Sequence, residues 1–249
     1  ADINDVNVQS VALTPSFQID FETLLAFLAE ERRNRKEGRL KLLFICSPNN
    51  PSGNAFDLGD IKRICEHFDG ITVVDEAYYD FCDKQSAVTL LSQYPNLVVL
   101  RTLSKCWALA SARVGIAIAS EEVISVFRSM KYPYNLGTPS QELACKALKE
   151  KDNVIGGLQA IKKERSRLKE ALEGIGCVKH VFPSDANFFL VRVINAEDLY
   201  HYLAHKGIIV RNRSKEMHCE NCLRITIGSR EENDILLAAL GAYKEKVNA

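Results

Sequence analysis

Short apolar runs alternate with amphipathic stretches between residues 42 and 119, and this alternation constrains the fold more than any other feature of the sequence. A helix is predicted over residues 57–68, where Ile61, Ile64, Cys65 and Phe68 lie on one face. The predicted strands are residues 42–46, 71–74, 97–100 and 114–119. Continuous apolar strands separated by helical segments are typical of a parallel sheet covered on both faces. The sequence therefore predicts an α/β fold with a mostly parallel, three-layer sheet.

The pattern of the elements changes after Tyr134. A long helical pattern runs over residues 139–173, and we expect an interruption near Gly156 and Gly157. Strands are predicted at residues 178–181, 187–193, 208–210 and 222–227, and helices at residues 196–206 and 230–247. This order predicts a large first domain over residues 1–140 and a smaller α+β domain over residues 141–249.

The beginning of the chain is unusual for such a fold. Residues 6–13 are a predicted strand and residues 21–31 a predicted helix, with Phe21, Leu24, Leu25 and Leu28 on its inner face. No β-α unit precedes these elements in the sequence. We therefore expect the first domain to be incomplete at its N-terminus.

The charge balance and the cysteines limit the class of protein. Lys plus Arg and Asp plus Glu both number 32, which argues against proteins that bind nucleic acid or anionic membranes through a basic excess. No segment has the length and apolar character of a membrane span or a secretory signal. Single cysteines scattered through apolar or helical stretches are typical of buried, reduced thiols, here Cys46, Cys65, Cys82, Cys106, Cys145 and Cys177. We expect a cytoplasmic protein with small-molecule ligands.

Polar residues follow the first two predicted strands, where a parallel sheet places its ligands. Residues 47–54 are rich in Pro, Asn and Gly, which predicts a tight turn, and an Asn there can also donate a hydrogen bond into a crevice. Asp75 ends the second strand and is either a helix cap or a carboxylate that faces the same crevice as the Tyr78 phenol.

A lysine follows the third predicted strand. Lys105 is either a solvated surface residue or an amine whose pKa is lowered by the apolar segment 106–110, as a Schiff-base lysine requires. Thr102, Ser104 and Arg113 offer two hydroxyls and a guanidinium, a set that suits a phosphate monoester. The order of these features along three successive strands predicts a ligand site at one edge of the sheet.

Five motifs occur in order over most of the chain. They are Ser-Pro-Asn-Asn-Pro-Ser-Gly at 47–53, Asp-Glu-Ala-Tyr at 75–78, Arg-Thr-Leu-Ser-Lys at 101–105, Arg-Val-Gly at 113–115 and Leu-Arg-Ile-Thr-Ile-Gly at 223–228. Together they resemble the fold-type-I pyridoxal-phosphate aminotransferases, and within these the histidinol-phosphate aminotransferase family. The resemblance implies pyridoxal 5′-phosphate as cofactor and a homodimer that works in histidine biosynthesis.

The resemblance also implies a role for individual residues. Lys105 would bind the cofactor covalently and move the proton during transfer, and Asp75 would pair with the cofactor's ring nitrogen, which must stay protonated. The remaining implied contacts are Asn50 and Tyr78 to the phenolic oxygen, and Thr102, Ser104 and Arg113 to the phosphate.

Two arginines of the second domain are candidates for the substrate. Arg211 follows a predicted strand and Arg224 lies inside another, where an arginine is costly unless it meets an anion or a glutamate. The resemblance implies that Arg224 binds the carboxylate of glutamate or 2-oxoglutarate, and that both arginines bind the phosphate of histidinol phosphate. Amino transfer between glutamate and imidazole-acetol phosphate is therefore the expected reaction.

Cys219 and Cys222 form a lone Cys-x-x-Cys pair. A structural zinc site would need a second pair of ligands, and a redox pair would need a β-α setting, and neither is visible in the sequence. We predict no metal site and interpret this segment as a loop that enters the Arg224 strand.

The sequence departs from the family in two places. The family carries an upstream segment with a phosphate-binding loop, a stacking aromatic residue and a tyrosine donated across the dimer, and we expect these parts to be missing here. Ser111 and Ala112 stand where the family has a glycine and an apolar residue. The alternatives are therefore another fold-type-I enzyme, such as an aromatic aminotransferase or a threonine-phosphate decarboxylase, or a non-catalytic fragment.

Overall fold

The computed structural model describes residues 5–33 and 40–247, which contain two four-stranded sheets. The first sheet has the order β1-β2-β3-β4, formed by β1 (Leu42–Cys46), β2 (Ile71–Asp75), β3 (Leu97–Thr102) and β4 (Gly115–Ala119). The first three strands are parallel, which confirms the α/β fold with a mostly parallel sheet. The fourth runs antiparallel to β3, so the sheet is mixed. Its connection holds a short 3₁₀ turn at Ala110–Ala112 instead of the crossover helix that a parallel neighbour needs.

Two helices cover one face of this sheet. Helix α1 (Phe21–Arg33) and helix α2 (Leu58–His67) pack on β1, β2 and β3. Their common core contains Leu24, Leu28, Ile45, Ile61, Ile64, Val74, Leu97 and Val99. On the opposite face of β1, Leu42 is 53% exposed and Phe44 is 62% exposed. The prediction that this whole strand is buried is therefore wrong, because its residues alternate between the covered face and an open one.

The predicted strand over residues 6–13 does not form. Among the described residues, the backbone there makes one isolated bridge, between Leu13 and Ile19, before α1 begins. Asp20 caps this helix, since its Oδ1 accepts a hydrogen bond from the backbone N–H of Thr23 at 3.1 Å. The predicted helix is confirmed, with Leu24 and Leu28 buried and Leu25 half-buried.

The second sheet is antiparallel and has the order β5-β6-β8-β7, with β5 (Val178–Val181), β6 (Phe188–Val193), β7 (Arg211–Asn212) and β8 (Cys222–Thr226). The helices of this half of the chain are α3 (Glu121–Met130), α4 (Thr138–Lys149), α5 (Lys151–Glu173), α6 (Ala196–His205) and α7 (Arg230–Val247). Helix α3 was not predicted, and the strand predicted at residues 208–210 lies at Arg211–Asn212 instead. The predicted break at Gly156 and Gly157 is also wrong, because both glycines lie inside α5 and the helices change at Glu150.

The two faces of the second sheet have different partners. One face packs on α5, α6 and α7 through Leu168, Leu172, Phe189, Val191, Leu199, Leu203, Leu223, Ile225 and Leu240. The other face carries Leu190, Cys222 and Arg224. Ala144 of α4 packs against Leu103, which follows β3 of the first sheet, whereas α5 packs against the second sheet. A domain boundary near residue 140 stays a prediction.

Half of the single cysteines are buried. Cys65, Cys82 and Cys177 lie in the interior as expected, whereas Cys46 and Cys145 are exposed and Cys106 is half-buried. Within residues 5–33 and 40–247, no helix combines the length and the apolar surface that a membrane crossing requires.

A close approach at Gly53 joins the two halves of the chain. The Gly53 carbonyl accepts a hydrogen bond from the backbone N–H of Asp185 at 2.8 Å, and Asp185 Oδ2 accepts one from the N–H of Ala55 at 2.9 Å. Gly53 has φ +87°, and a Cβ atom at this position would clash with the Ser184 side chain. Only glycine meets both constraints without strain.

We expect Gly53→Ala to lower the free energy of unfolding by about 2 kcal/mol, because it adds a left-handed backbone penalty to a clash with Ser184. Gly156→Ala in α5 is the matched control, since a Cβ there meets nothing within 4 Å. It should raise the free energy of unfolding by about 0.5–1 kcal/mol. Urea unfolding of both variants measures the difference, and equal effects would contradict the close approach.

Candidate active site

The carboxyl ends of β1, β2 and β3 meet at one edge of the first sheet, as predicted. Cys46, Asp75 and Leu100 lie side by side in the parallel register. The three polar segments that follow these strands therefore leave the sheet at the same place. This edge is where an open α/β sheet binds ligands.

Asp75 presents a carboxylate at this edge. Its side chain shares a sheet face with Thr102, because Asp75 pairs with Leu100 and residues two apart on a strand point the same way. Asp75 Oδ1 accepts a hydrogen bond from the backbone N–H of Ala77 at 3.0 Å, which is a local turn contact and not a helix cap, because the cap position of the next helical turn is Tyr78. Burial, and after it the negative charge of Asp75, raises the pKa of the Cys46 thiol. Asp75 itself is half-buried.

Lys105 lies next to Tyr78. Its Nζ is 5.2 Å from the centroid of the Tyr78 ring, within the range of a cation–π contact. Among the described residues the Lys105 Nζ makes no hydrogen bond or ion pair, whereas the Lys105 carbonyl accepts a hydrogen bond from the Ala108 N–H at 3.1 Å. The expected enclosure by segment 106–110 is wrong, because Lys105 is exposed while Cys106 and Trp107 are only half-buried.

Two of the three predicted phosphate-binding side chains are in contact. Thr102 Oγ1 and Ser104 Oγ are 2.9 Å apart, and Thr102 Oγ1 also accepts a hydrogen bond from the Ser104 N–H at 3.1 Å. Arg113 is exposed, has a left-handed backbone with φ +57°, and donates to the Ala110 carbonyl at 3.0 Å. Among the described residues, Arg113 makes no hydrogen bond to either hydroxyl. The structure therefore brings together two of the three predicted phosphate-binding side chains, Thr102 and Ser104.

The second sheet brings Arg224 to the same edge. Arg224 Nη1 donates a hydrogen bond to Asn50 Oδ1 at 2.7 Å, although 174 positions separate the two residues. The Arg224 guanidinium also lies 5.0 Å from the centroid of the Phe188 ring, and that ring makes an edge contact with Tyr78 at 5.1 Å. Phe188 was not among the predicted site residues. It lies in β6 and Arg224 in β8, and only the register between these two strands brings the side chains together. Asn50, Tyr78, Lys105, Phe188 and Arg224 thus form one cluster.

Arg224 carries a charge that the described residues do not neutralise. Its Nε is buried without a hydrogen-bond partner, and no carboxylate forms an ion pair with it in residues 5–33 and 40–247. Burial, and after it the positive charges of Arg213 and Arg211, lowers the pKa of Arg224. A guanidinium in such surroundings is stabilised by an anion. Arg211 is the cross-strand partner of Arg224 and is exposed.

A buried ion pair that the sequence analysis missed fixes the ends of β2 and β3. Glu76 is 4% exposed, and its carboxylate accepts hydrogen bonds from Ser86 Oγ at 2.8 Å, the Ala87 N–H at 2.7 Å and Arg101 Nε at 2.8 Å. The Arg101 guanidinium lies 3.9 Å from the centroid of the Tyr79 ring. Glu76 follows Asp75 and Arg101 precedes Thr102, so the pair ties together two candidate site residues. A charged residue beside each of them was the signal available in the sequence.

Cys219 and Cys222 are buried against Phe17, Phe182 and Leu190. Burial raises the pKa of Cys219 to about 11, so this thiol is uncharged at neutral pH. The described residues contain no group of three His, Cys, Asp or Glu side chains that could hold a metal ion. The segment is a turn that leads into β8.

Comparison with known proteins gives the family. The sequence profile of the family described as "Aminotransferase class I and II" matches residues 1–240. The chain belongs to the class I and II aminotransferases. It is 43% identical over 244 residues to the histidinol-phosphate aminotransferase of Bacteroides thetaiotaomicron, a match that covers 98% of this chain and 68% of that protein.

Solved aminotransferase structures share the fold. The histidinol-phosphate aminotransferase of Clostridium acetobutylicum superimposes with a TM-score of 0.84 at 26% identity, over 94% of this chain and 70% of that one. The enzyme of Sinorhizobium meliloti, solved in complex with pyridoxal-5′-phosphate, also gives a TM-score of 0.84, at 23% identity, over 97% of this chain and 65% of that one. The resemblance of the motifs to this aminotransferase family is thereby confirmed.

We expect Glu76→Gln to lower the free energy of unfolding by about 2–3 kcal/mol. The Arg101 side chain is 22% exposed, and the change removes the carboxylate that is the main partner of its charge. Glu173→Gln is the control, since its pair with Lys169 spans 3.7 Å between side chains that are 43% and 51% exposed. That change should cost less than about 0.5 kcal/mol. Denaturant unfolding compares the two, and a Glu76→Gln effect as small as the control would refute the role of the buried pair.

Proposed function

We propose that this chain transfers an amino group between glutamate or 2-oxoglutarate and histidinol phosphate or imidazole-acetol phosphate, with pyridoxal 5′-phosphate as cofactor. The observation that carries the proposal is the 2.7 Å hydrogen bond between Arg224 and Asn50, which unites an anion-binding side chain with the strand ends of the first sheet. The name of the relative from Bacteroides thetaiotaomicron, 43% identical, supports the choice of substrates.

The side chains at this edge fit the cofactor. Thr102 and Ser104 supply adjacent hydroxyls 2.9 Å apart, which can donate to a phosphate group. Arg113 forms no ion pair among the described residues, so its guanidinium is available for the same phosphate. Lys105 supplies an amine without an ion-pair partner in the same part of the chain, 5.2 Å from the Tyr78 ring centroid. Hydroxyls, guanidinium and amine together match the chemistry of a phosphorylated aldehyde.

Asp75, Asn50 and Tyr78 would hold the ring of the cofactor. Asp75 supplies the carboxylate that keeps a pyridinium nitrogen protonated. Asn50 uses its Oδ1 for Arg224, while its Nδ2 makes no hydrogen bond within the described residues and can donate to the phenolic oxygen. The Tyr78 hydroxyl is a second donor of the same kind, on a ring fixed by Phe188 at 5.1 Å.

Pyridoxal 5′-phosphate, when bound, supplies an electron sink for the electron pair left on the substrate carbon after proton loss. The chain supplies the rest. Lys105 Nζ, released when the substrate's amino group takes its place on the cofactor, would take the proton from the carbon that bears the amino group and return it on the cofactor side, as general base and then general acid. Asp75 stabilises the positive charge on the ring nitrogen.

One anion site serves two substrates in this proposal. Arg224 binds the carboxylate of glutamate, and Arg224 together with its cross-strand partner Arg211 binds the phosphate of histidinol phosphate. Histidinol phosphate has no carboxylate, so its phosphate takes the same place in the second half of the cycle. A homodimer in the cytoplasm, which the motif resemblance implies, belongs to the same proposal.

We expect Lys105→Ala to abolish covalent attachment of pyridoxal 5′-phosphate and to lower the rate of amino transfer by about 10³-fold, because it removes both the amine and the proton carrier. Borohydride reduction followed by mass spectrometry locates the attached group. Lys163→Ala, an exposed lysine on α5, is the control and should retain full labelling. Labelling that survives in Lys105→Ala would show that another lysine binds the cofactor.

The products decide between the proposed reaction and its alternative. Incubation with histidinol phosphate and 2-oxoglutarate should yield glutamate and imidazole-acetol phosphate in equal amounts. Release of carbon dioxide from a phosphorylated amino acid, with no glutamate formed, would instead identify a decarboxylase. Transfer to aromatic oxo acids but not to imidazole-acetol phosphate would identify an aromatic aminotransferase.

A further inference from the structure

A third arginine lies on the same sheet face as Arg211 and Arg224. Arg211 pairs with Arg224 across β7 and β8, and the backbone N–H of Arg213 donates to the Cys222 carbonyl at 2.9 Å, which continues the same ladder. Residues two apart on a strand point to one face, so Arg213 shares the face of Arg211 and lies diagonal to Arg224. Long side chains in diagonal positions of an antiparallel pair reach one another.

Arg213 is held in place but only partly neutralised. Its Nη1 forms an ion pair with Glu216 Oε1 at 2.8 Å, and its side chain is 29% exposed. Its Nε is buried without a hydrogen-bond partner, like the Nε of Arg224. Burying a charged donor without a partner lowers stability, and such a group in a folded protein calls for an explanation.

Among the described residues, Arg224 and its charged neighbours together carry an excess of two positive charges. Besides the Tyr78 phenol, the charged groups that act on Arg224 are Arg211, Arg213 and Glu216. Three guanidinium groups and one carboxylate leave two positive charges on this face. A phosphate monoester with its second pKa at about 6 carries close to two negative charges at pH 7, whereas a carboxylate carries one.

We propose that Arg213, positioned by Glu216, is a specificity-determining residue that favours a substrate bearing a phosphate dianion over one bearing a carboxylate at the Arg224 site. The inference rests on the proposed function, because it assigns a preference to the same anion site. Arg213 acts through its charge and not through the bond-making steps. Its removal should therefore affect the two halves of the transfer cycle unequally.

The two half-reactions provide an internal control for an Arg213→Gln variant. We expect kcat/KM for histidinol phosphate to fall by about tenfold, because one unit charge near a dianion is lost, and kcat/KM for glutamate to change less than about threefold. Arg213→Lys keeps the charge and should restore most of the preference. Raising the salt concentration should narrow the gap between wild type and Arg213→Gln for the phosphate substrate alone.

A binding measurement tests the same preference without turnover. The protein is saturated with pyridoxal 5′-phosphate, so that its own phosphate site is filled, and is then titrated with inorganic phosphate or with acetate. Phosphate should raise the melting temperature of wild type and of Arg213→Lys more than that of Arg213→Gln. Acetate should affect all three equally.

Three outcomes would overturn the inference. They are an unchanged ratio of the two half-reactions in Arg213→Gln, an equal loss in both, or phosphate protection that is the same with and without the Arg213 charge. Failure of the proposed function looks different, because wild type would then release no 2-oxoglutarate from glutamate and form no amine from imidazole-acetol phosphate. A wild type that performs both halves, with an Arg213→Gln variant of unaltered ratio, refutes the specificity role alone.

Discussion

The candidate site depends on the contact between the two sheets at Asn50 and Arg224. Asn50 lies in the turn after β1 of the first sheet and Arg224 lies in β8 of the second, so the 2.7 Å hydrogen bond between them requires that the two sheets keep a fixed separation. The edge contact of Tyr78 with Phe188 and the close approach at Gly53 supply that rigidity. The residues proposed to bind a ring and those proposed to bind an anion can then face one another with their geometry set in advance.

Positive charge is concentrated where the second sheet reaches this contact. Arg224 gains little from Asn50, because a neutral amide oxygen does not cancel a guanidinium charge, and burial strengthens the repulsion from its two arginine neighbours. The protein tolerates this arrangement because the helices on the opposite face, which pack around residues such as Leu223 and Ile225, hold the sheet independently of the arginines. One face of the second sheet packs against helices, and the other carries the arginines that we propose to bind an anion.

The sequence was informative wherever local pattern determines structure. Apolar runs located β1, β2 and β3, and parallel pairing then placed Asp75 and Lys105 at one edge. The direction of a strand, by contrast, is not set by its own residues. β4 runs antiparallel to β3 because the connection between them lacks a crossover helix. The positions of Phe188 and Arg213 near Arg224 depend on the register within the second sheet, which the sequence pattern does not give. The exposure of Lys105 depends on how segment 106–110 folds. The apolar pattern at residues 6–13 gave no strand because no neighbouring backbone pairs with it beyond Leu13.

The salt bridge of Glu76 and Arg101 has a consequence for how such a site can diverge. The two residues adjoin Asp75 and Thr102, which we propose to hold opposite ends of a flat ligand, so replacing either partner alone would loosen both ends at once. Replacing both Glu76 and Arg101 by apolar residues could preserve the geometry. The first of the two substitutions would leave one buried charge without its partner, so the intermediate sequence would be less stable. New substrate preferences are therefore easier to acquire around Arg211 and Arg213, where single changes leave the ends of β2 and β3 undisturbed.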